Sequence, residues 1–170
     1  MKGIPIIHKL FEWIRSLIKK EPVEPDKPKL PDNGVYISST EARNLLKAAF
    51  QIKSSLIDLW DTRYYCPSLD YAKRLIAESR IDQRRYRAGF GDCDKFALGL
   101  KWYFVDDAWR DDRGFLAAHC CGFIGGRIPN RHAMFWFIDD TKTVHVVEPQ
   151  TDEIIDPKTM TIHEIFRIWA

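Results

Sequence analysis

The spacing of hydrophobic and polar positions changes character three times along the chain. Between residues 4 and 20, Ile7, Leu10, Phe11, Ile14, Leu17 and Ile18 recur at three- and four-residue intervals, with Lys9, Glu12, Arg15, Lys19 and Lys20 between them. That period predicts an amphipathic helix over residues 1–20. It stops at Glu21, where Pro22, Pro25, Pro28 and Pro31 alternate with charged residues; prolines at this density exclude a regular helix or a central strand, and 21–37 reads as an extended linker. A second helical pattern opens at Ser38, whose hydroxyl can cap the helix while Glu41 reaches back to complete a capping box. Leu45, Leu46, Ala49, Phe50, Ile52, Leu56, Ile57 and Trp60 carry this helix towards residue 60. Pro67-Ser68 starts another, with Tyr71, Ala72, Leu75 and Ile76 inward, and Cys93 starts a third that buries Phe96, Ala97, Leu100 and Phe104 or Tyr103.

From Gly114 the period falls to two, which predicts strands near 115–124, 131–139 and 143–149. Gly125-Gly126 and Asp140-Thr141-Lys142 read as the turns between them, and a short helix is expected from Thr161 to Trp169. Helices first and an antiparallel sheet second define an α+β domain over 38–170, with the Cys93 helix packed on the sheet. A turn centred near Thr141 pairs residue 134 with residue 148. His132 then stands diagonal to Glu148, within side-chain reach across the hairpin.

Composition narrows the class. With 45% hydrophobic and 29% charged residues the chain of 170 residues is that of a folded protein. Its net charge of +2 gives no bulk attraction for nucleic acid, and Arg80, Arg84, Arg85 and Arg87 read as a solvated helix face. The first 20 residues lack the unbroken apolar run of a signal peptide or a membrane span, so a cytoplasmic location is expected, with the helix docked on its own domain, on a partner or on a membrane surface. Cysteines 66, 93, 120 and 121 have neither a disulfide-framework spacing nor a zinc-binding spacing.

The candidate chemistry centres on Gly91-Asp92-Cys93-Asp94-Lys95-Phe96-Ala97-Leu98-Gly99, where a polar turn gives way to a helix. A helix N-terminus stabilises negative charge and draws a thiol pKa down. Downstream, His132 lies on a strand and Glu148 closes the next one, ahead of Pro149-Gln150-Thr151-Asp152-Glu153. The order of nucleophile, base and acid resembles that of the transglutaminase-like cysteine peptidases in the papain-like superfamily. The match is local to Gly91–Asp156, and it departs from the family in having Glu where Asp is usual and Pro where Asn is usual. The resemblance implies a papain-like or transglutaminase-like fold. Asp92 and Asp94 flank the cysteine and oppose a thiolate, so either Asp92 is neutralised by capping the helix N–H groups and no cofactor is needed, or both bind calcium, as in the calcium-dependent members that the resemblance brings in. An oxyanion hole would take the Cys93 backbone N–H and a second donor from Tyr64, Tyr65 or Gln83.

On this reading Cys93 attacks an amide of a peptide or protein substrate, His132 carries the proton and Glu148 orients the imidazole, with His119 and His145 as rival bases. Two other readings stay open. One is a catalytically silent papain-like binding module that presents Trp109, Trp136 and Tyr103 to a peptide or glycan; the other is a peptidoglycan amidase or endopeptidase. Size and the tethered helix suit a small phage or bacterial accessory protein.

Overall fold

The computed structural model describes residues 34–89, 92–110 and 117–170. The amphipathic stretch and the proline-rich segment up to residue 33 lie outside the described residues. Strand β1 (Val35–Ser38) already belongs to a sheet, so residues 35–37, expected in the linker, are strand. Helix α1 (Ser39–Phe50) starts where the cap was expected: Glu41 N–H donates to Ser38 Oγ at 3.1 Å. The carboxylate of Glu41 does not close a capping box, however, because it meets Lys142 Nζ at 2.7 Å. The helix ends at Gln51, in the left-handed region with φ 53°. It therefore stops ten residues short of the expected end; Ile57 begins strand β2 (Ile57–Asp58), and Trp60 lies exposed beyond it.

Strand β3 (Arg63–Cys66) leads to α2 (Leu69–Ser79), capped by Ser68 Oγ and closed at Arg80, φ 51°. Helix α3 (Cys93–Arg110) follows. Strands β4 (Ala118–His119), β5 (Cys121–Arg127), β6 (Arg131–Ile138), β7 (Val144–Glu148), β8 (Glu153–Ile155) and β9 (Glu164–Trp169) complete the fold. They form two sheets, ordered β1-β3-β4 and β2-β9-β5-β6-β7-β8. All neighbours in the larger sheet are antiparallel except β2 and β9.

Two sequence expectations fail here for one reason. Gly125 and Gly126 are not a turn but part of β5, paired with Ala133 and His132, and the chain beyond Thr161 is a strand rather than a helix. A bulge joins the two facts. Gly125 opposes Arg167 while Gly126 opposes Ile165, leaving Phe166 as the extra residue. The bulge turns Ile165 and Ile168 to the same buried side, so a spacing of three, helical in the sequence, arises in a strand. The glycines permit the close approach: a Cβ on Gly126 would lie 2.3 Å from the Glu164 carbonyl oxygen, and one on Gly122 would lie 1.7 Å from that of Trp169.

The larger sheet is covered on both faces. On one, Ala42, Leu46 and Phe50 of α1 pack with Ile37, Tyr64, Ile124, Met134, Trp136, Ile138, Val146 and Ile168. On the other, Tyr71, Leu75 and Ile76 of α2 and Phe96, Leu100 and Phe104 of α3 cover Cys121, Phe135, Phe137 and Val147. Burying this much apolar surface on both faces explains the near-continuous hydrophobic run of β6.

Candidate functional site

Strand β6 pairs with β7 so that Phe135 faces Val147, which sets Met134 opposite Glu148 and His132 on the diagonal. His132 Nε2 lies 2.5 Å from Glu148 Oε2, and both side chains are mostly buried. Gln150 anchors the other carboxylate oxygen: its backbone N–H donates to Glu148 Oε1 at 3.2 Å and its amide donates at 3.4 Å. Burial opposes ionisation of Glu148, but the bond to His132, the imidazole charge and the Gln150 donors outweigh it and hold the carboxyl below its ordinary range.

Cys93 is the first residue of α3 and is half-buried. Among the described residues no hydrogen bond joins it to His132 or Glu148. By strand alternation His132 and Glu148 are in step with Met134, Trp136 and Val146, the face that packs on α1, whereas Cys93 opens the helix lying over Phe135 and Phe137. The structure thus brings the proposed base and acid together but does not bond the thiol to them. Asp92 and Asp94 are served by a lysine: Lys95 Nζ lies 3.2 Å from Asp92 Oδ1 and 2.7 Å from Asp94 Oδ2. Asp92 is held below its usual value by hydrogen bonding with Asp94 and then by Lys95. Among the described residues no group of three or more His, Cys, Asp or Glu is arranged to hold a metal ion, and both carboxylates expected to hold calcium are paired with Lys95.

The other expected donors are dispersed. Tyr64 is buried in the α1-side core, its hydroxyl accepts the Asp61 N–H at 3.1 Å, and burial pushes its pKa up to about 12. Tyr65 is buried between the rings of Tyr36 and His119, and Gln83 is exposed in the connection after α2. The rival histidines have structural partners: His119 Nε2 lies 2.9 Å from Asp107 Oδ2, and His145 Nε2 lies 2.8 Å from Asp139 Oδ2.

The solvent side of α3 carries a second feature. Trp102 and Trp109 are 59% and 71% exposed, and their rings meet edge to face with centroids 5.5 Å apart. With Leu98 and Val105 they follow a four-three-four spacing, so this helix has an outer apolar stripe as well as its inner one. Of the aromatics expected to face a ligand, Trp109 is exposed, Tyr103 is half-buried and Trp136 is fully buried at 0% exposure. Trp102 was missed, although the second stripe is visible in the sequence: Leu98, Trp102, Val105 and Trp109 fall between the inner positions Phe96, Leu100 and Phe104.

No family model and no curated protein matches the chain. Solved structures do. Over 79% of this chain, the PSL1a–E64 complex superimposes with a TM-score of 0.68 at 19% identity. Polyporus squamosus lectin bound to the human-type influenza-binding epitope Neu5Acα2-6Galβ1-4GlcNAc covers the same 79% with a TM-score of 0.66 at 18% identity. The chain spans about half the length of each, 51% and 49%. Its fold is therefore shared with part of each of these two chains, with nine strands in two sheets among the described residues. The resemblance to transglutaminase-like peptidases and the papain-like α+β class drawn from it are corrected accordingly. A polar turn that opens a helix at a cysteine is a local event, and it carries no information on how the strands of the sheets are ordered. The cysteine-hydrolase function and its peptide substrate rested on that resemblance and fall with it.

Proposed function

We propose that this chain is a carbohydrate-binding module whose α3 helix presents Trp102 and Trp109 to the apolar faces of sugar rings. The observation that carries the reading is the exposed edge-to-face pair itself. Leaving two indoles in water forgoes the burial that drives folding, and apolar patches kept on a surface mark binding sites. An indole offers a broad rigid face to the C–H side of a pyranose and an N–H to its hydroxyls, with few rotors to immobilise. Asp106 and Arg110, ion-paired at 3.0 Å on the same helix, add polar groups beside the rings. The shared fold is consistent with such a role, and the similar lectin was solved with a sialylated trisaccharide.

Calorimetric titration of the full chain with neutral and sialylated oligosaccharides tests the reading, with Trp102→Ala and Trp109→Ala as controls. Binding that weakens in both variants supports it. Absence of binding across the panel, or binding indifferent to both substitutions, overturns it.

A further inference from the structure

The connection between α2 and α3 concentrates charge in a way the fold does not use. Residues 80–89 hold Arg80, Arg84, Arg85 and Arg87 against the single acid Asp82, a local balance of four minus one, or +3, in a chain whose whole balance is +2. All four arginines are exposed, and among the described residues none forms an ion pair. Four unpaired guanidinium groups repel one another and weaken the compact state. That cost has no structural return within the fold.

The loop is nevertheless anchored. Gln83 N–H donates to the Arg80 carbonyl at 3.3 Å and Arg84 N–H to that of Ile81 at 3.0 Å. Ile81 is buried, and its Cδ1 lies 3.0 Å from where a Cβ on Gly99 of α3 would stand. The Tyr86 ring, half-exposed between Arg85 and Arg87, lies 6.4 Å from that of Phe96 on the same helix. Gly89, at φ 73°, donates its N–H to Asp92 Oδ2 at 3.2 Å, beside the first residue of α3. Trp102 stands one helical turn beyond Gly99, the α3 residue against which Ile81 packs.

We propose that this loop binds acidic glycans, that is, carboxylated or sulfated saccharides, with Arg84, Arg85 and Arg87 holding the anionic groups and Tyr86 backing a ring. The inference rests on the carbohydrate-binding reading and gives it a ligand class. Arginine suits the task better than lysine because its planar fork meets a carboxylate or sulfate with two parallel hydrogen bonds. An aromatic set between cations distinguishes sugar recognition from plain counter-ion attraction, because it adds a face on which the ring can lie.

The test compares a sulfated heparin-derived oligosaccharide with its desulfated, N-acetylated and carboxyl-reduced counterpart, a neutral sugar of the same length, using the full chain and the triple variant Arg84→Ser/Arg85→Ser/Arg87→Ser. Wild type should bind the sulfated probe at least about tenfold more tightly than the desulfated one, and the preference should shrink as salt screens the charges. The triple variant should lose that preference while keeping the affinity for the desulfated sugar that Trp102 and Trp109 supply. If the triple variant melts early, the tyrosine-retaining Arg→Lys triple variant replaces it and should keep the salt dependence but lose part of the affinity. Equal affinity for both probes, an unaffected triple variant, or tighter binding of a single-stranded nucleic acid than of the sulfated sugar overturns the inference. Loss of the sulfated preference with desulfated binding intact leaves the tryptophan reading standing. Binding of the sulfated probe alone, insensitive to Trp109→Ala, would retain the loop and overturn the tryptophan site.

Discussion

His132 and Glu148 meet at 2.5 Å across the β6–β7 ladder, as diagonal neighbours rather than directly opposed residues. The pair joins two central strands, so its charge state bears on stability. Because the folded protein holds the Glu148 carboxyl below its ordinary range, the stabilisation is complete above the unfolded carboxyl's pKa and is lost as pH falls through the lower folded value. Glu148→Gln should flatten the acid limb of the stability curve in that window and cost about 1–3 kcal/mol near neutrality, the usual range for a charged hydrogen bond. Urea unfolding at several pH values measures it, and a variant that follows the wild-type curve would contradict the assignment.

Asp139 offers a second carboxylate, one that no reading of the sequence singled out. One oxygen accepts the backbone N–H groups of Thr141 and Thr143, at 3.0 and 2.9 Å, and the Thr141 hydroxyl at 2.6 Å; the other meets His145 Nε2 at 2.8 Å. Burial works against the ionised form, but these partners prevail and keep the group below its ordinary range. Asp139→Ala would strand several donors at the β6–β7 turn. We expect a loss of about 2–4 kcal/mol, or a melting temperature lower by very roughly 5–15 °C for a chain of this size. A change under about 1 kcal/mol would show that the turn holds without the carboxylate.

The four thiols differ in access. Cys93 is half-buried, whereas Cys66, Cys120 and Cys121 are buried. Burial raises the pKa of Cys120, and that of Cys121 to about 12. Iodoacetamide under native conditions should therefore label Cys93 first, with the other three reacting only on unfolding. Peptide mapping decides it. Labelling of Cys120 or Cys121 at the rate of Cys93 would contradict the packing around β4 and β5.

How far the sequence could be read depended on whether a feature was local. The cap at Ser38, the helix start at Pro67-Ser68, the inner faces of α2 and α3 and the diagonal of His132 with Glu148 follow from short-range spacing, and each is found in the structure. The bulge at Gly125/Gly126 was not legible, because it depends on β9 arriving from forty residues away. The end of α1 at Gln51 was hidden for a related reason: Ile52, Leu56 and Ile57 keep an apolar rhythm after the helix has stopped, with Ile57 buried in the core and Ile52 packed against it. The cysteine turn misled at the level of fold. Its chemistry is set by a few adjacent atoms, whereas the ordering of the strands is set by pairings that the turn never touches.

The central claim is that Trp102 and Trp109 form a sugar-binding surface. The most direct measurement is the dissociation constant of an oligosaccharide for the full chain and for Trp109→Ala, read together with the melting temperature of each. Trp109 is 71% exposed, so its removal should leave the melting temperature within about 2 °C of wild type. Truncating an aromatic anchor of a binding surface should nevertheless cost about 1–2 kcal/mol, a five- to thirtyfold weaker dissociation constant. An unchanged dissociation constant in a folded Trp109→Ala variant, or no measurable glycan binding by the intact chain, would contradict the account.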